Sequence, residues 1–131
     1  MPGQWQDEGG NRILNILFGA QAVDTTLYLG LHMDAVPPLV SVALADLTEP
    51  TTGGYARIAL TRGVWDINGS QADYAVQTFQ ASGADFGLIY GSFICTSLTG
   101  TTGILLSLDY LYSPIYVVNG KGIQIVPTIT V

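Results

Sequence analysis

The sequence predicts a mainly β protein: an antiparallel β-sandwich of jelly-roll or immunoglobulin-like type, with one short N-terminal helix and an extended N-terminal arm. Three observations predict it. Apolar Leu27, Leu29, Leu31 and Met33 alternate with Tyr28, Gly30 and His32, the period of a strand with one buried face. Strand-length apolar runs then recur at short, fairly even spacing between glycine-bearing turns. Helical spacing occurs convincingly in one segment alone.

Residues 1–10 contain Pro2, Gly3, Gly9 and Gly10 without periodicity and read as an extended arm. Trp5 stands alone in it, and an isolated tryptophan is costly to leave in water. It is expected to dock, either on the chain's own core or on a neighbouring subunit. Residues 11–131 read as a single sandwich domain. Asn11 is positioned to cap a helix in which Ile13, Leu14, Leu17 and Phe18 form an apolar stripe. That stripe is expected to lie on a sheet.

The first strand follows from Thr25, and Pro37-Pro38 is expected to end it. Residues 39–53 fit a short strand or a helical turn followed by the loop at Glu49-Pro50. Further strands are expected over residues 55–61, 64–67, 74–80, 86–96, 104–112, 115–118 and 123–131. The junctions between them include Asn68-Gly69-Ser70, Ser82-Gly83, residues 100–103, Pro114 and Asn119-Gly120-Lys121-Gly122.

The composition narrows the function. Four cations (Arg12, Arg57, Arg62, Lys121) against ten acidic residues give a net charge of −6. A basic face for nucleic acid or for an anionic membrane is absent from such a chain. The apolar runs are strand-sized, far below the ~20 residues of a membrane helix. The N-terminus has neither the basic start nor the apolar run of a signal peptide. Charged residues make up 11% of the chain and mean hydropathy is +0.38, where ordinary soluble domains carry about 25% charge. A compact monomer of 13.9 kDa exposes roughly 6,700 Å². Fourteen charges cover that surface thinly, so apolar patches that contact other protein are expected.

Candidate chemistry is sparse. One histidine, one cysteine and no close acidic pair on a strand face do not build a metal site, and no cofactor is expected. Cys95 lies in a strand and reads as a buried, inert thiol. His32 falls on the polar side of its strand and reads as a surface or interface residue. A triad role would need a nucleophile and an orienting acid, and no Gly-x-Ser-x-Gly turn is present. Asp66, Asp73, Asp85 and Asp109 are carboxylates near strand ends, where aspartate commonly bonds backbone. Gly100-Thr101-Thr102-Gly103 lacks the lysine of a phosphate loop. Tyr110, Tyr112 and Tyr116 could form a stacking platform for sugars, or simply fill a core or an interface. Arg57 lies in an otherwise apolar strand and reads either as half of a buried pair with a carboxylate or as a rim arginine.

Several blocks, in order, carry a family resemblance. They are Thr26-Leu27-Tyr28-Leu29-Gly30-Leu31-His32, then Gly53-Gly54-Tyr55-Ala56-Arg57, then Trp65 and Phe79. Phe86-Gly87-Leu88-Ile89-Tyr90 follows, and the C-terminal stretch 117–127 contains Val-Val-Asn-Gly-Lys-Gly-Ile-Gln-Ile-Val-Pro. Over residues 11–131 the chain resembles small structural proteins of tailed bacteriophages, of the tail-fibre-like and capsid-decoration kind. It departs from their pattern at Gly91 and at Gly120-Lys121-Gly122, both in turn positions. The resemblance implies a sandwich in the virion, assembled in the host cytoplasm, without enzymatic activity. Within that class a decoration or cement protein is the leading expectation, bound to the major capsid protein or other virion proteins and self-associating, as a trimer by preference. Trp5, Gln6, Tyr55 and Arg57 are its candidate interface residues. A tail component (baseplate, adaptor or fibre base) and a host-surface carbohydrate-binding module are the alternatives.

Overall fold

The computed structural model describes residues 4–35 and 42–130. The expected stop at Pro37-Pro38 lies outside the described residues, as does the start of the 39–53 segment. The fold is mainly β, with several antiparallel sheets and one α-helix. In chain order it runs β1 (Gln4–Trp5), α1 (Asp7–Phe18), β2 (Thr26–His32), a 3-10 turn (Leu44–Asp46), β3 (Ile58–Thr61), β4 (Asp66–Asn68), β5 (Gln71–Asp73), β6 (Gln77–Gln80), β7 (Gly87–Cys95), β8 (Leu105–Val117), β9 (Gly122–Ile125) and β10 (Thr128–Thr130). The largest sheet has the order β1-β8-β7-β2-β3; β10-β5-β4 and β6-β9 make two smaller ones.

The large sheet is covered on both sides. Leu29, Leu31, Leu60, Ile89 and Ile94 join Phe79, Ile123 and Ile129 of the small sheets in one cluster. Phe93, Cys95, Leu105 and Leu108 pack with Leu44 of the 3-10 turn in a second. Central strand β2 is therefore buried on both faces at its end, from Leu29 through His32. This corrects the half-buried reading. His32, expected at the surface, is wholly buried, because the segment after β2 returns over that face. Gly30 is required there: a Cβ would lie 2.2 Å from the Phe93 ring.

The N-terminus also differs from expectation. Residues 4–10 are not an extended arm. Gln4 and Trp5 pair with Leu108 and Ser107 of β8, and the helix starts at Asp7 rather than after Asn11. The Gln6 amide donates to the Leu106 carbonyl (3.0 Å), and the Glu8 carboxylate accepts from the Leu105 amide. Asp7 and Glu8 complement the positive end of the helix. Gly9 is buried against the Leu106 carbonyl, so the helix docks through its first turn. Its apolar stripe does not lie on a sheet. Leu14, Leu17 and Phe18 are exposed, Phe18 by 83%.

The two strands expected either side of Pro114 are one strand, β8. Ile89 of β7 pairs with Ile115, and Gly91 with Tyr110. Tyr90 alone therefore faces the four residues from Leu111 to Pro114. This bulge leaves its extra residues outside the ladder, which is where a proline without an amide proton is tolerated. The expected strand over 123–131 is β9 and β10 with Pro127 between them, and β5 was not expected.

Candidate functional site

Two features gather the predicted site residues, one internal and one facing out. The internal one is built around Arg57. Its Nε and Nη2 donate to the two carboxylate oxygens of Glu49 at 2.9 and 2.7 Å. Nη1 donates to the Ser97 carbonyl and hydroxyl, and Nη2 also to the Gly100 carbonyl. All five guanidinium donors are thereby used, and the guanidinium sits 5.4 Å from the centre of the Phe93 ring. The Tyr55 hydroxyl donates to Glu49 (2.7 Å) and accepts from the Leu31 amide (2.9 Å).

Of the two readings open for Arg57, the structure takes the hydrogen-bonded pair. Its side chain is 3% exposed and that of Glu49 24%. Burial is the largest single effect and works against the guanidinium charge, but the Glu49 hydrogen bonds and the charges around it, Glu49 among them, together outweigh it, and its pKa stands above the usual value. Burial, reinforced by Glu49, pushes the Tyr55 hydroxyl well above its ordinary pKa. Tyr55 and Arg57 thus tie the 49–54 loop and the 97–100 loop to β2. Glu49 was missed in the sequence. Only its place before Pro50 marks it, and no periodic spacing links it to Arg57.

The outward feature is an apolar groove of about 590 Å³ between α1 and the β4–β5 hairpin. Its floor holds Trp5, Leu106 and Ile129; its walls are Ile13 and Leu17 from the helix and Ile67 from the hairpin. Leu17 and Ile67 are each about two-thirds exposed. At the mouth Arg12 holds Asp24 at 2.7 Å, and exposed Arg62 lies nearby. Trp5 docks on its own chain, against the main core cluster. Its Nε1–H is buried without a hydrogen-bond partner among the described residues. Gln6, beside it, is buried at the start of the helix. Trp5 lines one groove and the Tyr55–Arg57 pair another, while Gln6 lines neither.

Several of the remaining titratable groups bond the backbone. His32 donates through Nε2 to the Asp109 carbonyl (2.8 Å), and its Nδ1 lies 3.9 Å from Asp34. Burial lowers its pKa, against smaller opposing effects of the Asp109 carbonyl and Asp34. Asp85 accepts from the Asn119 amide and the Tyr116 hydroxyl, and Asp109 accepts from the Tyr110 amide. Asp66 and Asp73 do face each other across the β4–β5 hairpin, which the sequence did not reveal. Asp73 is bonded there by Thr128 and Gln71. Among the described residues no cluster of three or more metal-ligating side chains occurs. Cys95 is buried, with its thiol 3.3 Å from the Ser97 carbonyl. The three tyrosines do not form one platform: Tyr110 packs edge-on against His32, Tyr116 is over half exposed, and Tyr112 stands fully clear at 109%.

The sequence matches no protein-family model and no curated protein.

Proposed function

We propose that the protein is a structural subunit of a tailed-bacteriophage particle: a decoration or cement protein that sits on the head shell and holds neighbouring copies of the major capsid protein. The observation that carries this reading is the apolar exterior. Leu14, Leu17, Phe18, Ile67 and Tyr112 are all exposed on a chain with only 14 charged residues. Leu17 and Ile67 wall one apolar groove, and apolar surface gathered in this way marks contact surfaces. The ordered sequence blocks described above support the choice of a virion, since they resemble proteins of that class. In this reading the sheets are the two leaves of an antiparallel sandwich of jelly-roll or immunoglobulin-like type, joined by the shared cluster around Leu31, Phe79 and Ile123.

Such a subunit works by mass action. A protein that binds the assembled lattice and not its free parts stabilises the lattice by its binding free energy, about 2.7 kcal/mol per site at a concentration of 100 Kd. The N-terminus takes no reaching part in this account, because Trp5 is paired within its own sheet. The contact falls instead to the helix face and the bulge. A tail position is the second reading. It is favoured by β3, whose outer edge closes the large sheet and offers a ladder for strand addition.

The test is co-sedimentation with head shells that lack the protein. Saturable binding at a fixed ratio to the shell subunit is expected. Protein that stays in the supernatant with shells, yet binds isolated tails, overturns the decoration assignment.

A further inference from the structure

We infer that Asn68, at the tip of the β4–β5 hairpin, is a site of spontaneous covalent modification: the Gly69 backbone nitrogen displaces its side-chain amide, and the position converts to aspartate and isoaspartate. This chemistry is independent of any partner the chain binds.

Two Asn-Gly pairs lie in turns, Asn68-Gly69 and Asn119-Gly120. The dipeptide suits a hairpin turn. It is also the least shielded for ring closure, because glycine puts no Cβ beside the attacking nitrogen. Both asparagines are exposed. Both glycines have positive φ, 63° at Gly69 and 85° at Gly120, and open space where a Cβ would stand. Sequence, exposure and room therefore do not separate the two pairs. Hydrogen bonding does.

Asn119 is held at each group the reaction must move. Its Oδ1 accepts from the Gly83 amide at 2.9 Å, and its own amide donates to Asp85 at 2.6 Å. The Gly120 N–H, which carries the attacking nitrogen, donates to the Ala81 carbonyl at 2.9 Å. Asn68 has no such restraint. Among the described residues neither its side chain nor the Gly69 N–H makes a hydrogen bond. The hairpin behind it is short: β4 and β5 have three residues each, and β4 is exposed throughout and lies at the edge of its sheet. Such ends open at little cost, and opening lets the Gly69 nitrogen reach the side chain.

In the first step the Gly69 nitrogen bonds to Asn68 Cγ and the Cγ–Nδ2 bond breaks. Nδ2 leaves as ammonia, taking the proton from Gly69. Water then opens the cyclic imide. Cleavage at Cγ gives aspartate; cleavage at the main-chain carbonyl gives isoaspartate, with one more carbon in the backbone. Nothing is oxidised or reduced.

Either product adds a negative charge to the hairpin face that carries Asp66 and Asp73, which already oppose one another. Like charges across a strand pair weaken it. Conversion at Asn68 thus loosens the hairpin wall of the apolar groove, Ile67 included.

The test is peptide mapping of the full chain after incubation in mildly alkaline buffer, folded and in urea, with isoaspartate read by electron-transfer fragmentation. Asn68→Gln supplies the blank. In the folded protein Asn68 is expected to convert at least ~10-fold faster than Asn119, whose hydrogen bonds must open first. In urea the two rates should converge, since both are Asn-Gly. Equal rates in the folded protein, faster conversion at Asn119, or an undiminished difference in urea overturns the inference. Amide exchange over residues 66–73 should rise in the converted fraction, separated by its charge; unchanged exchange there overturns the loosening of the groove wall.

Discussion

Replacing Arg57 by Met tests the internal half of the account. The substitution keeps an apolar stem and removes the guanidinium fork. Five donors disappear at once: Glu49 keeps only the Tyr55 hydroxyl, the Ser97 carbonyl only the weak Cys95 thiol, and the Gly100 carbonyl loses the guanidinium. Stripping one member from a fully buried ion pair costs about 3–5 kcal/mol. Glu49 is a quarter exposed and regains some water, which lowers the figure. The lost stacking over Phe93 restores part of it, by about 0.5–1 kcal/mol. A net loss of about 2–4 kcal/mol follows, which for a domain of this size lowers Tm by roughly 8–14 °C. The assay is a double-mutant cycle of Arg57→Met and Glu49→Gln in urea, with Arg57→Lys as a control that keeps charge but not the fork. A coupling energy near 2 kcal/mol is expected. Coupling below about 0.5 kcal/mol, the worth of an exposed pair, would refute the clasp. Amide exchange adds a local readout: protection over residues 97–103 should fall in Arg57→Met before the rest of the sheet is affected.

Other expectations follow from the same contacts. His32 has a depressed pKa in the folded chain, so between pH 6.5 and its folded value the unfolded chain binds more protons. Stability should hold above about pH 6.5 and fall as pH drops below it, by up to about 1.4 kcal/mol per pH unit. In a His32→Gln variant that portion of the urea-midpoint profile should flatten; an unchanged profile would contradict the assignment. Asp109, raised chiefly by burial, acts with the opposite sign and stabilises the fold once protonated in acid. Gly30→Ala places a methyl into the Phe93 ring and should cost about 1–3 kcal/mol, read as a lower Tm. Phe18→Asp, on the exposed end of the helix, should change stability by less than about 0.5 kcal/mol while raising solubility. A loss of several kcal/mol there would mean that the helix stripe is core after all.

How much of this was legible in the sequence depends on what each segment touches. The alternation in β2 and the Gly69 and Gly120 turns are local signals, and each sits where its pattern placed it. The start of α1 was hidden by Gly9 and Gly10, which disfavour helix by about 1 kcal/mol each. Docking against Leu106 and the acidic first turn outweigh that cost. The amphipathic stripe of α1 was read correctly as a stripe and wrongly as buried, because sequence periodicity does not say what lies opposite. The burial of His32 depends on the segment that folds back over β2, a contact with no local trace. Pro114 was a fair sign of broken pairing. It marked a bulge rather than an end because β8 resumes its ladder with β7 at Ile115. The partner of Arg57 lies eight residues away in a loop, and only the fold brings the two together.

The proposed function places the apolar exterior against other virion proteins. Immunogold labelling of whole particles, purified from cells that make this protein, tests it most directly. Gold on the head shell at many sites per particle is the predicted result. Bare particles, with the protein recovered only in the soluble fraction, would contradict it.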